Sequence, residues 1–241
     1  MDIHDSVALV TGANRGIGRA YVEALLERGS RRVYATARNV SGLGALVQLD
    51  PRRVIPLQLD ITDVADVGAA AERASDVTLL VNNAGILTFV QLLDGDRDRI
   101  AEEMRVNFFG MLDVVRAFVP VIDRNAGGAI VNMLSLIALA NLPAMGGYSA
   151  SKAAAHSLTQ ALRAQLGGRG VTIHGVFPGA VDTDMIRAVD MPKTSPADVV
   201  RTVLDGVEQG VEDIFPDAMS QGLGELYLRD PKAVERQIAA L

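Results

Sequence analysis

The amino-acid sequence predicts an α/β fold: a single domain over residues 1–241, built on a doubly wound parallel β-sheet flanked by helices on both faces. Three observations predict it. Short runs rich in Val, Ile and Leu recur along the chain, they are apolar nearly throughout instead of alternating, and helical patterns separate them. Continuous apolarity is what a strand needs when helices cover both faces of its sheet. Regular exchange of strand and helix implies right-handed crossovers, and such sheets hold their ligand beyond the carboxyl ends of the strands, where the strand order reverses.

The elements follow in order. Strands are expected at Val7 to Val10, Arg32 to Ala37, Val54 to Leu59, Val77 to Val81, Ala129 to Leu134 and Val171 to Phe177. Helices are expected at Gly18 to Arg28, Val64 to Ala74, about Arg97 to Asp123, and Tyr148 to Leu166. The Pro-containing stretch from Asp182 to Pro196 reads as a loop over the site. It serves either as a substrate lid, at about 182–198, or as an ordinary surface connection. The uncharged run from Asn125 to Ser151 is long enough to span a bilayer. It contains Gly127, Gly128, Gly146, Gly147 and Pro143, which support helix poorly, so a buried strand and a loop are expected there instead.

Bulk properties narrow the function. The chain has 241 residues, 49% of them hydrophobic, enough for one substantial core. A formal charge of -6 without a basic block argues against nucleic acid as a partner. With no cysteine, and with His4, His156 and His174 scattered, neither a thiolate nucleophile nor a metal site is expected. The acidic start Met1-Asp2-Ile3-His4-Asp5 runs directly into a strand, unlike a secretion signal, so a cytoplasmic setting without membrane association is expected.

The first strand runs into Thr11-Gly12-Ala13-Asn14-Arg15-Gly16-Ile17-Gly18 and then a helix. Glycines there let backbone turn tightly and approach a pyrophosphate at the helix's positive end, as in a Rossmann-type site. Three residues separate Gly12 from Gly16, a departure from the commonest dinucleotide fingerprint. At the end of the second strand, where a carboxylate would hold the ribose hydroxyls of NAD(H), the chain has Ala37-Arg38. Arg38 offers a planar fork to a 2'-phosphate and Arg15 a second charge, which favours NADP(H) over NAD(H).

Tyr148 and Lys152 lie four residues apart, so they project from one helical face. A phenol titrates near 10 when unperturbed, and a nearby ammonium favours its ionised form. Ser135 follows a strand and can hydrogen-bond a substrate oxygen whose charge grows as hydride arrives. A tyrosine and lysine at this spacing mean little alone; with Ser135 and the glycine turn they describe carbonyl chemistry.

Taken together, Thr11, Gly12, Gly16 and Gly18, Asp60, Asn82-Asn83-Ala84-Gly85, Asn107, Ser135, Tyr148, Lys152 and Pro178-Gly179-Ala180-Val181-Asp182-Thr183 make the chain resemble the short-chain dehydrogenase/reductase family, over nearly its whole length. The resemblance implies that Asp60 with the adjacent Ile61 borders the adenine, and that Asn83, Ala84 and Gly85 border the cofactor. It implies that Lys152 binds the nicotinamide ribose, and that Asn107 places a water beside Lys152. It also implies that Pro178, Gly179, Val181 and Thr183 meet the nicotinamide carboxamide. Hydride would pass from nicotinamide to a ketone or aldehyde carbon while Tyr148 gives a proton to the oxygen. Homo-oligomers, tetramers or dimers, are implied through the helices near Arg97–Asp123 and Tyr148–Leu166. Met185, Ile186 and Met191 either line an apolar substrate pocket or pack the loop.

Three other readings stay open. A reductase of 3-oxoacyl chains on an acidic carrier protein shares these motifs but needs a basic landing patch, for which Arg124 and Arg169 are candidates. A non-catalytic NADP-binding redox sensor would not need Asn107, Ser135, Tyr148 and Lys152 together. A sugar epimerase or dehydratase would carry a larger C-terminal region than the chain has after Val181.

Overall fold

The structure, a computed structural model, describes residues 1–240. Seven parallel strands form one sheet: β1 (Val7–Val10), β2 (Arg32–Ala37), β3 (Val54–Gln58), β4 (Leu79–Asn82), β5 (Gly128–Met133), β6 (Val171–Val176) and β7 (Asp213–Ile214). Their spatial order, β3-β2-β1-β4-β5-β6-β7, reverses between β1 and β4. This is the doubly wound Rossmann-type sheet. Register such as Leu9 opposite Tyr34 on one side and Leu80 on the other sets β1 between β2 and β4, with β4 at the sheet's centre.

Among the described residues, nine α-helical segments connect or follow the strands: α1 (Gly16–Glu27), the single turn α2 (Gly44–Val47), α3 (Val64–Arg73), α4 (Arg97–Met104), α5 (Met111–Arg124), α6 (Gly146–Leu166), α7 (Pro196–Gln209), α8 (Ala218–Arg229) and α9 (Pro231–Ala239). Alternate strand residues serve opposite faces, which is why the strands read as unbroken apolar runs. Ala8, Val10, Leu79 and Val81 pack with Tyr21 and Leu25 of α1 and Val203 and Val207 of α7. Val7, Leu9, Leu80 and Ile130 pack with Phe118 and Ile122 of α5 and Leu162 and Leu166 of α6.

Several boundaries differ from the sequence expectation, each for a physical reason. The expected single helix from Arg97 to Asp123 is interrupted by a π-helical stretch over Arg105–Gly110. β7 spans only two residues and gives too little periodicity to see. Helices α7, α8 and α9 were not anticipated, although their caps are legible. Ser195 accepts from the Asp198 N–H with Pro196 at the first helical position, and Gly210 at φ 74° closes α7. Asp230 precedes Pro231 in the same way for α9. The stretch expected as a loop to residue 198 is shorter, since α7 starts at Pro196 and a parallel bridge joins Val181 to Thr194. Among the described residues, no helix is long and apolar enough to cross a membrane.

Candidate active site

The strand ends converge on one cavity of about 710 Å³ at the point where the strand order reverses. One end is the glycine turn. Gly12 and Gly16 have φ of 66° and 54°, a left-handed backbone that disfavours side chains. A Cβ on Gly12 would stand 3.0 Å from the Ala84 Cα, so the turn also presses on the segment leaving β4. Thr11 Oγ accepts from the Asn83 and Ala84 N–H groups at 2.9 and 3.0 Å, and Asn83 Nδ2 donates to the Thr11 carbonyl at 2.9 Å. Helix α1 has no side-chain cap, which leaves its N-terminal dipole facing the cavity, where Asn14, Arg15, Gly16 and Ile17 line the wall. Gly18 does not line it. A Cβ there would lie 2.2 Å from the Gly12 carbonyl oxygen, so its role is to let α1 pack under the turn.

Beyond this cradle, Arg38 leaves β2 exposed at the rim, and Asp60 and Ile61 leave β3. The Thr62 N–H and hydroxyl donate to Asp60 at 2.9 and 2.7 Å. These bonds, aided by the charges of Arg38 and Arg105, hold its carboxyl below the usual range. Arg105, from the π-helical stretch, is a rim residue that sequence reasoning missed. Arg15 reaches the loop that follows β6, where its guanidinium lies 3.4 Å from Asp184.

Ser135, Tyr148 and Lys152 share the opposite wall. Burial pushes the Tyr148 phenol well above its ordinary value; a hydrogen bond from Ser135 opposes this and the charge of Glu103 adds to it. Lys152 is buried, donates to the Met133 carbonyl at 2.7 Å and stands 5.6 Å from the centre of the Tyr148 ring. Its burial pushes the ammonium down to about 8. Desolvation therefore dominates the phenol's shift, and the lowering expected from the lysine is not among its causes in the protein alone.

Asn107 lies behind this wall, fully buried. Its Nδ2 donates to the Ile86 carbonyl and to Ser151 Oγ, and its Oδ1 accepts from the Ile86 N–H, all at 2.9 Å. The amide thus ties the segment after β4 to α6. A Cβ on Gly85 would stand 3.0 Å from Asn107 Oδ1 and 3.6 Å from Lys152 Nζ, so Gly85 is the gap through which the two approach. One turn before Asn107, the buried Glu103 accepts at 2.7 Å from both the N–H and the hydroxyl of Thr88.

Pro178, Gly179, Val181 and Thr183, leaving β6, close the cavity, and Met185, Ile186 and Met191 line it from the loop that follows. The Leu136 N–H donates to the Pro178 carbonyl at 3.0 Å, fixing this turn to the Ser135 segment. The remaining wall was unforeseen: Met219 and Leu223 come from α8 and Ile238 from α9. Nothing in the sequence before α8 points to these residues, because they reach the site only through tertiary packing.

A family model described as short chain dehydrogenase matches residues 6–193. The chain belongs to the short chain dehydrogenase family. Its relatives include the 3-oxoacyl-[acyl-carrier-protein] reductase FabG of Vibrio harveyi, 31% identical over 194 residues that cover 79% of each chain. A 3-alpha-(or 20-beta)-hydroxysteroid dehydrogenase of Mycobacterium tuberculosis is 32% identical over 211 residues, 86% of this chain and 78% of that one. Among solved structures, a short chain dehydrogenase from Burkholderia cenocepacia in complex with NADP is 43% identical, with a TM-score of 0.93 over 99% of both chains. One from Burkholderia phymatum in complex with NAD is 25% identical, with a TM-score of 0.88 over 97% and 96%.

Two other expectations find their place in this short chain dehydrogenase. His174 is buried in β6, bonded to the Val211 carbonyl and the Thr172 hydroxyl, and His156 packs its ring edge-on to Phe177 at 4.9 Å. Both are packing residues. Arg124 and Arg169 lie where chain enters β5 and β6, at the amino ends of the strands and away from Tyr148, and Arg169 pairs with Asp123. Neither lines the cavity.

Proposed function

We propose that this short chain dehydrogenase reduces a ketone or aldehyde to an alcohol, reversibly, with NADP(H) in preference to NAD(H). The meeting of Ser135 and Tyr148 on an apolar cavity whose other end is a glycine cradle carries the reading. The cradle suits a dinucleotide: left-handed glycines leave space for phosphate, and an uncapped helix end supplies N–H groups. Gly12, Asn14, Gly16 and Ile17 would hold the pyrophosphate, Asp60 and Ile61 the adenine side, Asn83, Ala84 and Gly85 the middle, and Pro178, Gly179, Val181 and Thr183 the nicotinamide end. Bound there, the dinucleotide supplies or accepts the hydride.

The chain's own residues handle the proton and the charge. Ser135 donates a hydrogen bond to the substrate oxygen as negative charge grows on it. Tyr148, kept protonated by burial, gives that oxygen its proton, which suits reduction near neutral pH. Lys152 holds positive charge beside the phenol once the proton has left. Asn107, bonded to both the N–H and the carbonyl of Ile86, fixes the segment that Gly85 brings up to Lys152, and would place a water there for the proton's return.

Arg38 supports the phosphorylated cofactor, since β2 ends on a guanidinium in the place of a carboxylate. The 43% identical relative that binds NADP supports the same choice. Met185, Ile186, Met191, Met219 and Leu223 make the substrate side apolar, which fits an uncharged carbonyl compound. A homo-oligomer, tetramer or dimer, and a cytoplasmic setting complete the reading.

A panel of ketones and aldehydes, followed by loss of NADPH absorbance and repeated with NADH, tests the proposal. Turnover with NADPH is expected on apolar ketones, Tyr148→Phe removing it while NADPH still binds. Arg38→Ala is expected to weaken NADPH about tenfold, as a lost charge-assisted contact would, without changing NADH. Equal use of both cofactors by the unmodified enzyme would overturn the NADP preference. Tight NADPH binding without turnover of any carbonyl would favour a redox sensor instead. Faster turnover of a carrier-bound 3-oxoacyl chain would replace the free ketone as substrate.

A further inference from the structure

Helix α8 opens on Asp217, a carboxylate only 5% exposed. Oδ1 accepts from the Ser220 N–H at 2.9 Å, while Ser220 Oγ accepts from the Asp217 N–H at 3.1 Å, which together form a capping box. Capping needs only that one oxygen. The other, Oδ2, reaches back 38 residues to accept from the Gly179 N–H at 2.8 Å. Among the described residues, no Lys, Arg or His lies within salt-bridge distance of Asp217. Backbone N–H groups and the positive end of α8 carry the burden of its burial.

The packing at this joint is close. A Cβ on Gly179 would stand 2.9 Å from Asp217 Oδ1 and 3.0 Å from Met219 Sδ. The turn at Pro178–Gly179, the first turn of α8 and the Met219 side chain therefore meet around one carboxylate. Because the Pro178 carbonyl also accepts from Leu136, the connection continues to the segment that carries Ser135.

We propose that Asp217 is a positioning residue for the reduction: it fastens the Pro178–Gly179 turn to helix α8, so that the wall facing the nicotinamide and the wall facing the substrate are held as one body. This rests on the assignment above of Gly179 to the nicotinamide end. It assigns a role to a residue that touches neither cofactor nor substrate, and it explains why the cap is a carboxylate. A serine cap would satisfy α8 alone, but its shorter side chain cannot also span to Gly179.

The test separates capping from positioning. Asp217→Asn and Asp217→Ser keep a cap for α8 and lose the charged acceptor at Gly179; Asp217→Ala loses both. Affinities for NADPH and for 2',5'-ADP, which lacks the nicotinamide half, are measured by fluorescence titration and calorimetry, with thermal melting as the folding control. The capping variants are expected to melt close to the unmodified enzyme, to weaken NADPH about tenfold, the scale of a lost charge-assisted hydrogen bond, and to leave 2',5'-ADP unchanged. Their kcat is expected to fall at least as much, and the enantiomeric excess of the alcohol with it. Unchanged NADPH affinity, or equal loss for both ligands, overturns the proposal and leaves Asp217 as a cap only. If the unmodified enzyme binds NADPH but reduces no carbonyl, the reductase reading fails while the two affinities still decide the role of Asp217.

Discussion

At Tyr148 burial and the charge of Glu103 exceed the help of Ser135, so the phenol holds its proton at neutral pH. Lys152, four residues on, is pressed the other way and titrates at about 8. The lowered value means that the ammonium is present below about pH 8 and lost above it. Reductive kcat is therefore expected to be level on the acid side and to fall as pH rises through about 8, as measured by kcat profiles with saturating NADPH. Lys152→Arg is expected to remove that limb, since a guanidinium stays charged across the range, whatever it does to the maximum. A limb that persists in the variant would assign the titration to another group. The spacing of Tyr148 and Lys152 was legible in the sequence. The direction of their shifts was not, because it depends on how much water the surrounding walls exclude.

At the scale of elements, the site is set by irregularities in otherwise regular helices. The π-helical stretch at Arg105–Gly110 brings Asn107 to Ile86 and Ser151. Such stretches are costly in isolation and persist where tertiary contacts hold them. Helix α8 supplies Met219 and Leu223 to the cavity wall, two residues that no motif in the sequence marks. Met219→Ala and Leu223→Ala are expected to raise KM for bulky apolar ketones about tenfold each, roughly 1.4 kcal/mol of lost apolar contact, and to leave the affinity for NADPH unchanged. Comparing KM across ketones of rising size checks this; a uniform change in kcat with constant KM would remove α8 from the pocket. Two anchors, the Val181–Thr194 bridge and the start of α7 at Pro196, shorten the loop after β6 relative to the stretch expected from proline and polar content alone.

For the whole molecule, one sheet with two apolar faces accounts for the core, and the reversal between β1 and β4 accounts for the cavity. The surface carries a further expectation. Phe109 is 52% exposed beside α5, and Ala153 and Ala161 of α6 face outward, whereas Ala155 of the same alanine-rich stretch is core. Small and apolar residues on two adjacent exposed helices suit close packing between copies. Light scattering is expected to give a mass of two or four times the 25.5 kDa chain, and Phe109→Glu to lower it. A monomer at all concentrations would refute the assembly.

Much of this protein was legible without its fold. The parallel sheet followed from unbroken apolar runs, and the cradle from Gly12 and Gly16. The placement of Ser135 and Arg38 followed from strands that must end where the ligand lies. These are local or periodic signals, and chain geometry converts them directly into position. The tertiary structure alone decided that Gly18 packs rather than faces the cavity and that Arg15 points to Asp184. It alone brought Asp217 of the C-terminal region to Gly179. Contacts between residues far apart in the chain leave no spacing to read, and the energy of a buried carboxylate or lysine depends on which groups the fold sets around it.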